Sequence, residues 1–325
     1  MHYRKFNHTN FASSEVGLGC WQLGADWGEV SEKDAQNILA KAVDCGINFF
    51  DTADVYGDGR SETLIGNFLK SSKSDAFVAT KLGRRGIYPN NYSEATIRAA
   101  TEESLRRLQT DALELTQLHC IPTEVIRQGD VFDWLRTLKT EGKIKSFGAS
   151  VESMEEAQIC LQQDGLASLQ IIFNIFRQKP IAELFEAAKA KSVALIVRLP
   201  LASGLLGGKL TKQSSFSADD HRNYNRDGQF FNVGETFAGL PFELGVELAE
   251  ELRQFVPENQ TMAQMAMRWI LDHEAVSVVI PGATKIHQVA ANASASDLPP
   301  LGEETHRQLH KFYEQKVAQH IRGPY

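Results

Sequence analysis

Residues 46–62 read Gly46-Ile47-Asn48-Phe49-Phe50-Asp51-Thr52-Ala53-Asp54-Val55-Tyr56-Gly57-Asp58-Gly59-Arg60-Ser61-Glu62. The glycine ends a helical pattern. Behind an N-capping Ser31, the residues Ala35, Ile38, Leu39, Ala42 and Val43 recur on one face at i, i+3, i+4, i+7 and i+8. The short apolar run Ile47–Asp51 then closes on an acid. Tyr56 follows five residues later, with glycines at 57 and 59. A buried strand that ends in a carboxylate and opens into a glycine-rich turn sets polar groups where the strand meets solvent, and α/β folds carry their chemistry there.

Outward from this stretch the chain keeps alternating. Short apolar runs at 16–19, 47–51, 76–80, 113–118, 144–149, 169–173, 193–197 and 276–280 are separated by helical patterns. Among these patterns are helices starting at Ser93 and near 124–140, 152–163, 242–256 and 261–273, the last with a Thr261/Gln264 capping box. Runs that are apolar throughout suit strands covered on both faces. Either a closed barrel or an open doubly wound sheet would satisfy that. Eight strands at a spacing of about 30 residues favour the (β/α)8 TIM barrel. Residues 3–15 read as an N-terminal β-hairpin, and helices near 285–295 and 303–320 finish the chain with an extra C-terminal helix. With no composition shift or linker, residues 1–325 read as one domain.

At 42% hydrophobic and 23% charged, the 325 residues are globular in composition. A net charge of −7 argues against nucleic acid or an anionic membrane as the main partner. No apolar run is long enough to span a bilayer, and the N-terminus lacks a signal peptide's apolar segment. The four cysteines, Cys20, Cys45, Cys120 and Cys160, have neither disulfide-framework nor metal-ligand spacing. Together these features read as a cytoplasmic protein with reduced thiols and no metal site.

Phosphate-binding loops of the familiar kinds are absent. Gly17-Leu18-Gly19-Cys20-Trp21-Gln22 starts like a dinucleotide fingerprint and lacks the third glycine. What stands out is a set of ionisable residues at successive strand ends: Asp51, then Lys81, then His119, with Tyr56 one turn beyond the first. Singly, each has a plainer reading: a turn cap, a solvated lysine, a core histidine, a packed loop aromatic. In a barrel, however, the C-terminal strand ends converge. Gathered there, they form a proton-donating device. Lys81 beside Tyr56 would lower the phenol's pKa, Asp51 would hold Lys81 charged, and His119 would orient a carbonyl oxygen. Such a device still needs a hydride source, which points to a nicotinamide cofactor.

At this point the chain resembles the aldo-keto reductase family over most of its length. The resemblance rests on residues 46–62, Ala79-Thr80-Lys81-Leu82-Gly83, Gln117-Leu118-His119, Gly148-Ala149-Ser150, Gln170 with Asn174, the stretch from Pro200 to Lys209, and Val279-Ile280-Pro281-Gly282. It implies a catalytic tetrad of Asp51, Tyr56, Lys81 and His119. It also implies an extended nicotinamide dinucleotide, NADP(H) by preference with NAD(H) as the other candidate. The positions matching the family's cofactor site are Gly19, Trp21, Ser150, Gln170, Arg198, Leu201, Ser203, Gly204, Leu206, Lys209, Gly282, Thr284, Gln288 and Asn292. Trp21, Trp27 and Tyr88 would wall the substrate pocket.

The sequence departs from the family pattern at several of these places. Val151 stands where asparagine is common, Arg198 where a stacking tyrosine is common, and Gly282 and Gln288 where basic residues often grip a 2′-phosphate. The polar, aromatic-dotted segment 210–240 is expected to fold over cofactor or substrate. The resemblance implies an NADPH-dependent reductase of aldehydes or ketones. Two other readings stand beside it: an NAD(P)-linked sugar or polyol dehydrogenase, and a nicotinamide-binding regulatory subunit with little turnover, as in potassium-channel beta subunits.

Overall fold

The computed structural model describes residues 1–6, 9–24 and 30–325. Strands β1 (Tyr3–Lys5) and β2 (Ala12–Ser14) pair antiparallel as the N-terminal hairpin. Eight parallel strands follow in sequence order around one sheet: β3 (Leu18–Gly19), β4 (Phe49–Asp51), β5 (Phe77–Leu82), β6 (Leu115–His119), β7 (Phe147–Ser150), β8 (Leu166–Ile172), β9 (Ala194–Arg198) and β10 (Val276–Val279). The sheet then meets itself. Gly17 N donates to Val279 O at 2.8 Å, Val279 N to Glu15 O at 2.9 Å and Gly19 N to Pro281 O at 3.0 Å. This closes the (β/α)8 barrel and leaves its strands without a free edge.

Side chains alternate along each strand, so one parity faces the barrel interior. On β4 and β5 that parity runs Phe49, Asp51 and Phe77, Ala79, Lys81. On β6 and β9 it runs Leu115, Gln117, His119 and Ala194, Ile196, Arg198. In each case the residues switch from apolar to polar toward the C-terminal end. The lower layers form a separate inner core, in which Phe49, Phe77, Leu115, Ala194, Ile196 and Val278 pack with Phe6 of the hairpin loop. Phe11 stacks on Phe77 at 4.4 Å, so the hairpin plugs the bottom of the barrel. A larger core lies between the strands and the surrounding helices.

Local signals account for several helix ends. Ser31 and Ser93 cap their helices, and Thr261 with Gln264 forms the expected capping box. The pattern over 124–140 is two helices, because Gly129 breaks it with φ 87°. Lys81 lies inside β5 rather than beyond it. Val43 is 36% exposed, so the buried stripe of helix Glu32–Asp44 is narrower than its sequence pattern. The long segment after β9 is built from short turns, at Ala202–Gly207, His221–Tyr224, Val233–Glu235 and Phe237–Gly239.

Candidate active site

The upper interior layer brings Asp51, Lys81, His119, Ser150, Gln170 and Arg198 to one mouth of the barrel. Along the ladder His119 is level with Ser150, and Ser150 with Gln170. Lys81 is 1% exposed, and its ammonium spends all three protons locally. It donates to Asp51 Oδ2 at 2.5 Å, Thr52 O at 2.9 Å and Tyr56 Oη at 3.1 Å. The other carboxylate oxygen of Asp51 accepts from Gln170 Nε2 at 2.7 Å and Gln117 Nε2 at 3.4 Å. The Tyr56 ring lies edge-on to His119 at 5.7 Å and nearly parallel to Trp21 at 5.9 Å.

Burial and charge set the protonation states. Burial works against the Lys81 cation, but Asp51 and Tyr56 together more than offset it, and the lysine pKa is raised. Burial pushes Tyr56 up to about 12; the Lys81 charge acts in the opposite direction without outweighing it. The net shift thus runs opposite to the lowering expected from the sequence, because the phenol lies deeper than a loop position implied. His119 is held well below its ordinary value by burial and by the charges of Lys81, Arg84 and Arg198, so its imidazole is neutral. Its Nδ1 is buried with no partner among the described residues, which leaves the Nε2–H tautomer available.

Two cavities meet at Tyr56. A cleft of about 350 Å³ is lined by Gly19, Trp21, Gln170, Arg198, Leu201, Ser203, Gly204, Gly282, Thr284 and Gln288, all singled out in the sequence, together with Gln22, Arg222 and Glu235. A pocket of about 230 Å³ adjoins it, lined by Trp21, Val55, Tyr56, Arg84, His119, Cys120, Ser150, Gln170, Arg198, Tyr224, Phe231 and Glu235.

Other sequence-predicted positions lie elsewhere. Leu206 is fully buried in the outer core. Lys209 is exposed and outside the cleft lining. Asn292 braces the cleft from behind, donating to Gly282 O at 3.4 Å. Tyr88 is 51% exposed and faces a neighbouring groove with Glu152 and Tyr325. Trp27 lies outside the described residues. The segment expected to fold over the site does so with Tyr224, Phe231 and Glu235.

Several site residues went unread in the sequence. Gln117 shares the parity of His119 on β6, so period-two reasoning could have found it. Glu235 sits in a stretch without periodicity, and no signal marked it. Its carboxylate accepts from Arg198 Nη1, while Arg198 Nη2 donates to Val151 O at 3.0 Å. Arg198 is therefore held by an ion pair as well as facing the cleft. Cys120, Glu152 and Glu235 bring ligand atoms within 4.8 Å of one another. Each acid already faces an arginine, Glu152 with Arg84 and Glu235 with Arg198, and burial pushes the Cys120 thiol up to about 11. The trio is charge-balanced as it stands.

A closed parallel barrel with an Asp–Lys–Tyr–His cluster at its C-terminal mouth defines an oxidoreductase barrel. Residues 15–314 match the aldo/keto reductase family model, and the chain belongs to that family. It is 29% identical over 325 residues to an uncharacterized oxidoreductase, YqkF, of Bacillus subtilis, covering 98% of each chain. Among solved structures it is similar to a glycerol dehydrogenase from Gluconobacter oxydans, at 27% identity and TM-score 0.78, covering 99% of this chain and 97% of that one. It is also similar to an aldo-keto reductase from Klebsiella pneumoniae solved in complex with NADPH, at 25% identity and TM-score 0.69, covering 93% and 92%.

Proposed function

We propose that the protein reduces aldehydes or ketones to alcohols, with NADPH as hydride donor and Tyr56 as proton donor. The cleft suits an extended anionic dinucleotide. Leu199, Ala202 and Ser203 hold φ of 54°, 47° and 54°, and Gly204 holds 101°, so the backbone turns tightly along one wall of the cleft, with Ala202 N and Gly204 N bonded back to Leu199 O and Leu201 O. Arg222 lines the same wall, and Gln22 Oε1 is buried there with no partner among the described residues. The Klebsiella relative in complex with NADPH supports the same coenzyme here. When bound, it supplies the hydride.

The chain's own residues do the rest. Tyr56 and His119 flank the pocket and can both donate to one carbonyl oxygen. His119, neutral, orients that oxygen. Tyr56 passes it a proton as negative charge develops, while Lys81 stabilises the phenolate left behind. Asp51 keeps Lys81 aimed. Trp21, Tyr224 and Phe231 exclude water and pack the substrate's apolar part. Because burial raises Tyr56 to about 12, the phenol stands protonated and ready to donate near neutral pH. Among the described residues no helix is long and apolar enough to cross a membrane.

The observation that carries this reading is Tyr56 Oη at 3.1 Å from Lys81 Nζ, at the junction of cleft and pocket. The test is a panel of carbonyl compounds assayed with NADPH and with NADH by loss of reduced-nicotinamide absorbance, using wild type and Tyr56→Phe. The variant should keep NADPH binding and lose turnover by roughly 10²–10⁴-fold. Near-normal turnover in the variant would sink the assignment.

A further inference from the structure

We propose that the Arg198–Glu235 ion pair sets which oxidation state of the coenzyme the site prefers, by cancelling a charge that would otherwise repel the oxidised nicotinamide ring. The inference rests on the nicotinamide reading above. A hydride can reach only a carbonyl carbon whose oxygen lies beside Tyr56. The reactive ring must therefore lie where the two cavities meet. Five residues line both: Trp21, Tyr56, Gln170, Arg198 and Glu235. Only the last two are ionised.

Oxidation changes the ring from neutral to a single positive charge, so the net charge around it sorts the two forms. The cations near the pocket come in pairs with acids: Lys81 with Asp51, Arg84 with Glu152, and Arg198 with Glu235. Lys81 is locked beneath Tyr56, and Glu152 lines only the neighbouring groove. The Arg198–Glu235 pair is thus the one whose two members both stand at the junction. The pair is buried, with side chains 10% and 15% exposed, so water screens it little.

Glu152, whose carboxylate lies within 4.8 Å of that of Glu235, already pairs with Arg84 at 3.3 Å, so it would offset Arg198 only in part. Arg198 Nη2 meets a carbonyl and the neutral Cys120 thiol, and Arg198 Nε is buried without a partner among the described residues. Without the Glu235 charge, a guanidinium only partly offset by Glu152 would face the ring. At separations of about 5 Å and an effective dielectric near 20, a unit charge so placed changes a binding constant by about tenfold or more.

Titrating NADP⁺ and NADPH separately into wild type, Glu235→Gln, Arg198→Gln and the double variant, by quenching of tryptophan fluorescence, reads this directly. Glu235→Gln should raise the ratio of the NADP⁺ to the NADPH dissociation constant by about tenfold or more. Arg198→Gln should lower it, and the double variant should return it close to wild type. A merely structural loosening of the segment after β9 would weaken both forms together and leave the ratio alone. A ratio unmoved by either single variant overturns the inference while leaving the coenzyme assignment intact. Wild-type protein that binds neither form overturns both.

Discussion

Lys81 donates to Tyr56 across 3.1 Å with no proton left for any other partner, so the ammonium and the phenol behave as one unit. That unit is biased toward holding its proton. With Tyr56 raised to about 12, the donor form dominates at neutral pH, and the phenolate needed for the reverse reaction is scarce there.

The sign of the pH dependence follows. The chemical step of carbonyl reduction should be flat from about pH 6 to 9. Alcohol oxidation, which needs the phenolate, should speed up about tenfold per pH unit over the same range. Single-turnover rates in both directions check this. In Lys81→Met the phenolate loses its stabilising charge, so oxidation should fall by at least about 100-fold at pH 9. An oxidation rate in that variant equal to wild type would remove Lys81 from the proton path.

Phe231 reaches the pocket from the segment after β9 and meets Trp21 edge-on at 6.3 Å. It touches the pocket and is absent from the lining of the longer cleft. Phe231→Ala should raise KM for an aromatic aldehyde about 5–20-fold, as expected for a lost aromatic contact of about 1–2 kcal/mol. NADPH affinity should stay within about twofold of wild type. Steady-state kinetics with a parallel coenzyme titration separates the two effects.

Gly66 lets helix Arg60–Ser72 approach helix Glu94–Leu108 closely. A Cβ there would lie 2.4 Å from Arg107 O and 2.9 Å from the Leu108 backbone. Backbone cannot swing aside as a side chain can. Gly66→Ala should therefore cost about 1–3 kcal/mol despite the better helix propensity of alanine. Urea denaturation should show a lower midpoint.

His273 is wedged among Phe173, Phe185 and Trp269, and burial, with the nearby His306, lowers its pKa to about 4. The unfolded chain protonates it near 6.5, so between about pH 6.5 and 4 the unfolded state binds more protons. Stability should fall as the pH drops through that window. His273→Gln should remove about one proton from the slope of unfolding free energy against pH. An unchanged slope would show that His273 does not titrate with folding.

The barrel was legible because its strands are apolar on both faces and end in polar residues, a pattern set by local sequence and by parity. Asp51, Lys81 and His119 could be found because strand ends are points of known convergence. The Tyr56 pKa was not legible, since its sign depends on how deeply the ring is covered, and residues distant in the chain such as Trp21 help decide that. Glu235 was not legible either. It reaches the site through a segment of short turns whose path is fixed by tertiary contacts, among them Ser203 Oγ donating to Glu235 O at 3.2 Å. Lys209, placed by its motif position among the coenzyme contacts, follows the turn at Gly208, with φ 69°, and stands exposed outside the cleft lining.

The hairpin stacked against the lower rings of the barrel has one more consequence. With Phe6, Phe11, Phe49 and Phe77 forming a floor, the interior among the described residues has no back door. The site is therefore approached from the C-terminal mouth of the barrel, where Tyr224 and Phe231 line the pocket.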